Sequence, residues 1–352
     1  SGKPACPAAT SHFIAIMPQQ GILYTTFPDN ASTFLNFFQK LFTGQISCLI
    51  VQSDGIILRR NGDYIMWIAD NWKDYEVIDC SAGEKLERWG DYILVRPDPQ
   101  VIWDTPKTIK TWKNLNGHYH RSSKGGGEWE FFDLPEQWSI RYKSLTFNLK
   151  PFSFKHTGLF PEQAVNWDWF SEKIKKAGRP LKVLNLFAYT GGATLAAAAA
   201  GAQVTHVDAS KGMVNWAKEN AQSSGLSDAP IRWLVDDCVK FVEREIRRGN
   251  KYDGIIMDPP SYGRGPKGEI WKIEDSIHNF IRLCTRILSD DAVFFLINSY
   301  TTGLAPSVLT YMISTEICSQ FGGKAESQEI GLPVSSNGLV LPCGASGRWE
   351  RV

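Results

Sequence analysis

Four aspartates stand where a carboxylate could hold or work on a polar ligand: Asp208, the adjacent Asp236 and Asp237, and Asp258. Each closes an apolar, β-branched run, and the carboxyl ends of such strands are where an open α/β sheet binds its ligand. Asp208 follows the small-residue turn Phe187-Ala188-Tyr189-Thr190-Gly191-Gly192 by about twenty residues, the spacing at which a carboxylate accepts both hydroxyls of a ribose. The turn itself lets backbone approach a ligand and presents helix N–H groups to it. One of Asp236 and Asp237 can accept from an adenine amino group while the other caps the segment that begins at Cys238, and Asp237 is the favoured adenine ligand. Asp258 opens Asp258-Pro259-Pro260-Ser261-Tyr262-Gly263. Its two prolines fix φ and withdraw N–H donors, leaving carbonyls to accept from a donor group. No phosphate-loop lysine accompanies these acids, and the turn is not the G-x-G-x-x-G of dinucleotide sites. Nucleoside triphosphates and dinucleotides therefore fit poorly, whereas a ligand that joins adenosine to a cationic sulfonium, S-adenosylmethionine, fits the acidic pattern.

These residues need a parallel sheet to bring them together, and the sequence from about residue 155 supplies its rhythm. Strands are predicted at Lys182–Phe187, Gln203–Val207, Ile231–Val235, Tyr252–Met257 and Ala292–Asn298. Helices are predicted to Ala200, at Lys211–Ser223 and Cys238–Arg248, and near Ile273–Leu288 and Ser307–Phe321, with an antiparallel pair after Lys324. Such alternation gives a sheet covered on both faces. Cys238 reads as a small packing residue, since nothing beside it in sequence would lower its pKa.

The chain before this region has a different texture. From about Gln45 to Pro151, short β runs are broken by turn residues, and nine of the thirteen Trp lie before residue 170. A small antiparallel β domain follows from that pattern. Residues 1–44 form a peripheral extension with a helix at Ser32–Phe42, residues 45–154 the β-rich domain, and 155–352 the ligand-binding domain. Thirty-eight Lys and Arg against thirty-seven Asp and Glu give a formal charge of +1, so any nucleic acid must be met by a local patch. Thr105–Gly127 offers one: Lys107, Lys110, Lys113, Arg121 and Lys124 occur there without an acid, interleaved with Trp112, His118, Tyr119 and His120. Cations for phosphates and rings for unstacked bases are how single-stranded RNA is held. Arg264 would extend that surface toward Asp258. Seven dispersed cysteines suggest neither a disulfide framework nor a zinc cluster, and the His pair is assigned no metal. No apolar run is long enough to span a membrane, and a cytoplasmic setting is expected.

The stretches Val183–Gly192, Thr205–Lys211 and Met257–Gly265 resemble the class I methyltransferases. Within them they are similar to the branch that includes bacterial large-subunit ribosomal RNA cytosine-5 methyltransferases and uncharacterised relatives. Lys155-His156-Thr157-Gly158-Leu159-Phe160-Pro161-Glu162-Gln163 also resembles the loop this branch lays over the methionine part of the cofactor. The resemblance implies an α/β fold with a Rossmann-like seven-stranded sheet and a smaller β-rich amino-terminal domain. It implies cofactor contacts from Thr157, Gln163, Asn185, Phe187, Ala188, Tyr189, Thr190 and Gly191. Asp208, with Ala209 and Ser210, would serve the ribose, and Asp236, Asp237 and Cys238 would lie near the adenine.

The chain departs from the cytosine-5 members at the nucleophile. That chemistry needs a thiolate to add to the ring, and the two positions that supply one hold Asn298-Ser299-Tyr300 and Ser261. The expectation is direct methyl transfer to a base nitrogen of RNA, ribosomal RNA foremost, with Asp258, Pro259, Pro260 and Tyr262 around the acceptor. A protein or small-molecule methyltransferase, and a non-catalytic cofactor-binding module, are the alternatives.

Overall fold

The computed structural model describes residues 12–17, 21–26, 48–52, 55–59, 66–122, 126–152, 155–264, 270–301 and 303–352. The helix expected at Ser32–Phe42 and the side chains of Lys124 and Arg264 lie outside what is described. The chain divides into two compact units, Ser1–Tyr64 and Ile65–Val352. In the first, β1 (His12–Met17) pairs antiparallel with β2 (Gly21–Thr26), and β3 (Cys48–Gln52) with β4 (Gly55–Arg59).

The second unit is built on an eight-stranded sheet. Five strands run parallel: β13 (Lys182–Leu186), β14 (Gln203–Asp208), β15 (Ile231–Val235), β16 (Gly254–Met257) and β19 (Phe294–Ser299). The long hairpin of β20 (Lys324–Pro333) and β21 (Val340–Glu350) continues it antiparallel beyond β19. The eighth strand is β5 (Met66–Ile68), added parallel to β20. It is too short to announce itself in sequence. The four residues of β16 and all six of β19 are buried, as parallel strands covered on both faces must be.

Alternate side chains of these strands feed two apolar cores. On one face Val183, Ile256 and Leu296 meet α1 (Ala164–Lys176) and the alanine-rich α2 (Gly192–Ala199). On the other, Leu186, Met257 and Ile297 meet α4 (Cys238–Arg248) and α5 (Ile273–Thr285). Between β14 and β15 runs α3 (Lys211–Ser223), whose first turn is capped by the Ser210 hydroxyl accepting from the Met213 N–H. After β19 comes α6 (Pro306–Ile313), and a π-helical turn at Ser314–Cys318 interrupts the segment expected to run on as regular helix. Among the described residues, no helix is long and apolar enough to cross a membrane.

The amino-terminal part of this unit is a five-stranded sheet in the order β10 (Gly127–Phe131), β9 (Gly117–Arg121), β8 (Tyr92–Pro97), β7 (Glu84–Trp89), β6 (Tyr75–Ser81). An all-antiparallel arrangement was expected, but β8 and β9 run parallel. The physical reason is the long segment between them, which crosses back to the start of the next strand. It is pinned to β6 where the Trp103 indole donates to the Cys80 carbonyl, the Trp112 indole to Asp79 and the Ser81 hydroxyl to the Thr105 carbonyl. A separate hairpin, β11 (Trp138–Tyr142) and β12 (Leu145–Leu149), docks on α3, where the Asn148 N–H donates to Asn220 Oδ1 and the Trp216 indole to the Asn148 carbonyl.

One buried ion pair ties the small sheet to the segment that covers the strand ends. Glu87 is fully buried and takes two bonds from Arg96, at 2.7 and 2.9 Å, and one from the Tyr75 hydroxyl at 2.7 Å. Arg96 in turn donates to the Lys155 carbonyl at 2.9 Å. Arg96 and Lys85 hold the Glu87 carboxyl well down, at about 2, against the burial that would raise it. Glu87→Gln leaves a desolvated guanidinium without its counter-charge, which costs roughly 3–5 kcal/mol. Urea unfolding of the variant should show that loss.

Candidate active site

The strand ends form a cleft of about 490 Å³, open to solvent, between α1, the turn after β13 and the end of β16. A larger concavity lies around Lys182, Gln203 and Ile231, at the amino ends of the strands, where open α/β sheets do not place their ligand.

The turn after β13 shapes one wall. Phe187, Tyr189 and Gly191 all take positive φ, at 55°, 49° and 87°, so the chain folds tightly out of the sheet. Each step is held. The Phe187 N–H donates to the Cys238 sulfur at 3.3 Å, and the Tyr189 N–H to Asp208 Oδ2 at 2.8 Å. The Thr190 hydroxyl donates to the Gly158 carbonyl at 2.6 Å, and Asn220 Nδ2 to the Thr190 carbonyl at 2.9 Å. A Cβ on Gly192 would lie 2.6 Å from the Trp167 ring, so α2 approaches α1 only because that residue is glycine.

The cleft gathers Gln163, Asn185, Phe187, Ala188, Tyr189, Thr190 and Asp258 from the residues singled out in sequence. It adds Leu159, Phe160, Trp167, Phe170, Ile256, Leu296 and Asn298. The apolar members come from helix and strand interiors, where nothing in sequence separates a pocket wall from ordinary core. Asn298 belongs to a polar knot that sequence reasoning missed. Asn166 Nδ2 donates toward Gln163, Asn298 and Ser346, while its oxygen accepts two bonds from Arg348. Gln163 Nε2 donates to the Tyr300 hydroxyl at 2.7 Å, and the Phe160 ring packs against Tyr300 and Tyr189 with centroids 5.7 and 5.5 Å away.

Asp208 is half-buried at the end of β14 and accepts from the Tyr189 and Ser210 N–H groups. Burial pushes its carboxyl up and those two bonds pull it back. Ala209 and Ser210 are exposed beside it, and Ser210 also caps α3. The other acidic pair divides its labour within the protein. Asp237 caps α4 by accepting from the Lys240 N–H at 2.9 Å, and Asp236 accepts from the Asp237 N–H and pairs with Arg244. Like Asp208, Thr157 and Gly191, neither is among the residues that line the cleft. Cys238 is buried at the start of α4, its thiol pushed up by that burial and its sulfur occupied by Phe187.

At the end of β16, burial first and then the neighbouring Glu162 push the Asp258 carboxyl up to about 7. Glu162 is itself buried and raised by desolvation, with Tyr300 bonded to it. Pro259 is buried and Pro260 exposed, and the Pro260 carbonyl accepts from the Trp271 indole at 2.7 Å. Tyr262 is half-exposed on the hairpin of β17 (Tyr262–Arg264) and β18 (Ile270–Lys272). Among the described residues no cysteine lines the cleft. Ser261 accepts from the Thr301 hydroxyl at 2.7 Å, and Ser299 is buried.

An adenosyl sulfonium ligand fits these residues. Asp208 keeps lone pairs beyond its two backbone bonds, the Thr157 hydroxyl is buried with no protein partner, and Phe160, Phe187, Tyr189 and Asp258 line the cleft. Residues 111–319, more than half of the chain, match the S-adenosylmethionine-dependent methyltransferase family. The chain belongs to that family. A crystal structure of the S-adenosylmethionine-dependent methyltransferase from Agrobacterium tumefaciens is 39% identical, superposes with a TM-score of 0.75 and covers 81% of this chain and 93% of its own. The ribosomal RNA large subunit methyltransferases K/L of Shewanella frigidimarina and Shewanella loihica are 28% and 36% identical over 65% and 52% of this chain. The aligned residues make up 32% and 24% of those proteins, so the chain spans about a quarter to a third of the curated relatives it matches. S-adenosylmethionine is the cofactor of this family.

The basic stretch is only partly available. Lys107 pairs with Glu84 at 2.6 Å and lies over the Trp112 ring at 4.1 Å. Lys110, Lys113 and Arg121 are exposed.

The raised Asp258 carboxyl has a stability consequence. Its folded-state value lies above the 3.8 of the unfolded chain, so the folded state binds the proton more tightly. The resulting stabilisation is full below pH 4 and is lost as pH rises toward 7. Asp258→Asn should leave Tm nearly unchanged at pH 4 and raise it by several degrees at pH 8, read by calorimetry.

Proposed function

We propose that the chain transfers the methyl group of S-adenosylmethionine directly to a nitrogen of an RNA base, with ribosomal RNA as the substrate. The observation that carries this reading is Asp258, a carboxyl poised near neutrality at the edge of an aromatic-walled cleft whose described lining holds no cysteine. The named activity of the K/L relatives supports ribosomal RNA, as do exposed Lys110, Lys113 and Arg121.

In this reading Asp208 holds the ribose hydroxyls, with Ala209 and Ser210 at its side. Gln163 and Thr157 contact the methionine part, and Asn185 and Phe187–Gly191 line the path between. Asp237 caps α4 through Oδ1 alone, which leaves its second oxygen to accept from the adenine amino group. The bound sulfonium supplies an electrophilic methyl group. Ionised Asp258 accepts a hydrogen bond from the acceptor N–H, holds the nitrogen lone pair toward the methyl, and takes the proton released as the N–C bond forms. The Pro260 carbonyl is engaged by Trp271, which leaves orientation of the acceptor to Asp258. Tyr262 offers a ring face to the base.

Incubation with methyl-labelled cofactor and deproteinised ribosomal RNA, followed by nucleoside analysis, tests the proposal. The expected product is an N-methylated base, formed at a rate that rises with pH and levels off above about pH 7. Asp258→Asn should lower kcat by about 10²–10⁴-fold and flatten the pH profile, with cofactor binding retained by calorimetry. Asp208→Ala should lose cofactor binding. Incorporation that survives ribonuclease would move the substrate to protein or a small molecule, a 5-methylpyrimidine product would overturn the mechanism, and cofactor binding without transfer would favour a binding module.

A further inference from the structure

We infer that the outer face of the five-stranded sheet carries a zinc-type divalent metal site formed by His118, His120 and Glu130. It is independent of the methyl-transfer reading. His118 and His120 are two apart on β9, so their side chains leave the same face of the sheet, and β10 places Glu130 directly opposite His118. The donor atoms of the three lie within 4.8 Å of one another. His120 Nε2 is 2.8 Å from Glu130 Oε2.

Three observations make this more than a polar surface. Residues two apart on a strand are separated by about 6.8 Å, yet the two imidazole centroids are 3.9 Å apart, so the rings lean toward a common point. A second carboxylate, Glu84 on β7, reaches His118 Nε2 at 2.7 Å from the other side. The backbone beneath is braced. On the opposite face Tyr119 and Trp129 pack edge to face, and a Cβ at Gly127 would fall 2.1 Å from the His120 carbonyl, so glycine is what lets β10 close on β9.

Two imidazoles and a carboxylate are a zinc donor set, with bonds of about 2.0–2.2 Å. Tetrahedral ligand atoms then sit about 3.3 Å apart, which the present spacing reaches by rotating side chains. The metal takes the place of the shared proton between His120 and Glu130. His120 and Glu130 are about half exposed, which leaves the fourth position open to water. Glu84, beside His118, balances the charge.

Calorimetric titration of the full chain with zinc chloride, after treatment with a chelator, tests the site. One equivalent should bind, and His120→Gln and Glu130→Gln should each weaken it at least tenfold. His278→Gln should not, because the His278–Glu316 pair, also 2.8 Å apart, has no second imidazole. Circular dichroism checks that the variants fold. Cobalt(II) in place of zinc should give no thiolate charge-transfer band. Failure to bind one equivalent, binding indifferent to both substitutions, or a thiolate band would each overturn the site.

Discussion

Three residues within five, Phe187, Tyr189 and Gly191, hold the left-handed region of the backbone, and two of them carry side chains. Each non-glycine residue held there costs on the order of 1–3 kcal/mol, so the turn persists only because its surroundings over-determine it. Cys238 fixes Phe187, Asp208 fixes Tyr189, and Asn220 and Gly158 hold Thr190 from two further directions. The same contacts bring the ends of β14, the start of α4, the face of α3 and the covering segment to one place. The cleft is the space left between the elements that satisfy this turn.

The covering segment is secured at both ends. Arg96 holds the Lys155 carbonyl and is itself held by Glu87, and the Trp72 indole donates to the Pro161 carbonyl. Past Gln163 the chain enters α1, where Asn166 is locked to Asn298, Ser346 and Arg348. Residues distant in sequence thus set the height of Phe160 and Gln163 over the strand ends. Glu162, carried on the same turn, raises the neighbouring Asp258. Fold and acid–base chemistry meet in this segment, because the contacts that shut it also desolvate the two carboxyls.

The central sheet was legible because its signals are local. Buried parallel strands read as continuous apolar runs, and α3 and α4 begin at the residues their caps dictate, Ser210 and Asp237. β5 and the hairpin of β17 and β18 were not legible, being three residues to a strand, and β5 pairs with β20 far along the chain. The parallel pairing of β8 with β9 was hidden for a related reason: strand composition does not report direction, and the crossover is anchored by Trp103 and Trp112 on β6. α1 carries Asn166, Trp167 and Asp168 among its apolar positions, and the buried Asn166 interrupts the helical pattern for the sake of the polar knot.

The sequence by itself determined that acids close three successive strands, that a small-residue turn precedes a helix, and that no cysteine follows the proline pair. These are matters of spacing along one stretch of chain. Only the tertiary structure decided which acid does what. Both oxygens of Asp236 are taken, by the Asp237 N–H and Arg244, while Asp237 spends one oxygen on its helix cap and Asp208 keeps lone pairs beyond its two backbone bonds. Asp258 is raised by burial and then by Glu162, which comes nearly a hundred residues earlier, and Glu130 meets the two histidines only across a strand pair. Burial and charge act through space, and a carboxylate's chemistry follows from what surrounds it rather than from its neighbours in sequence.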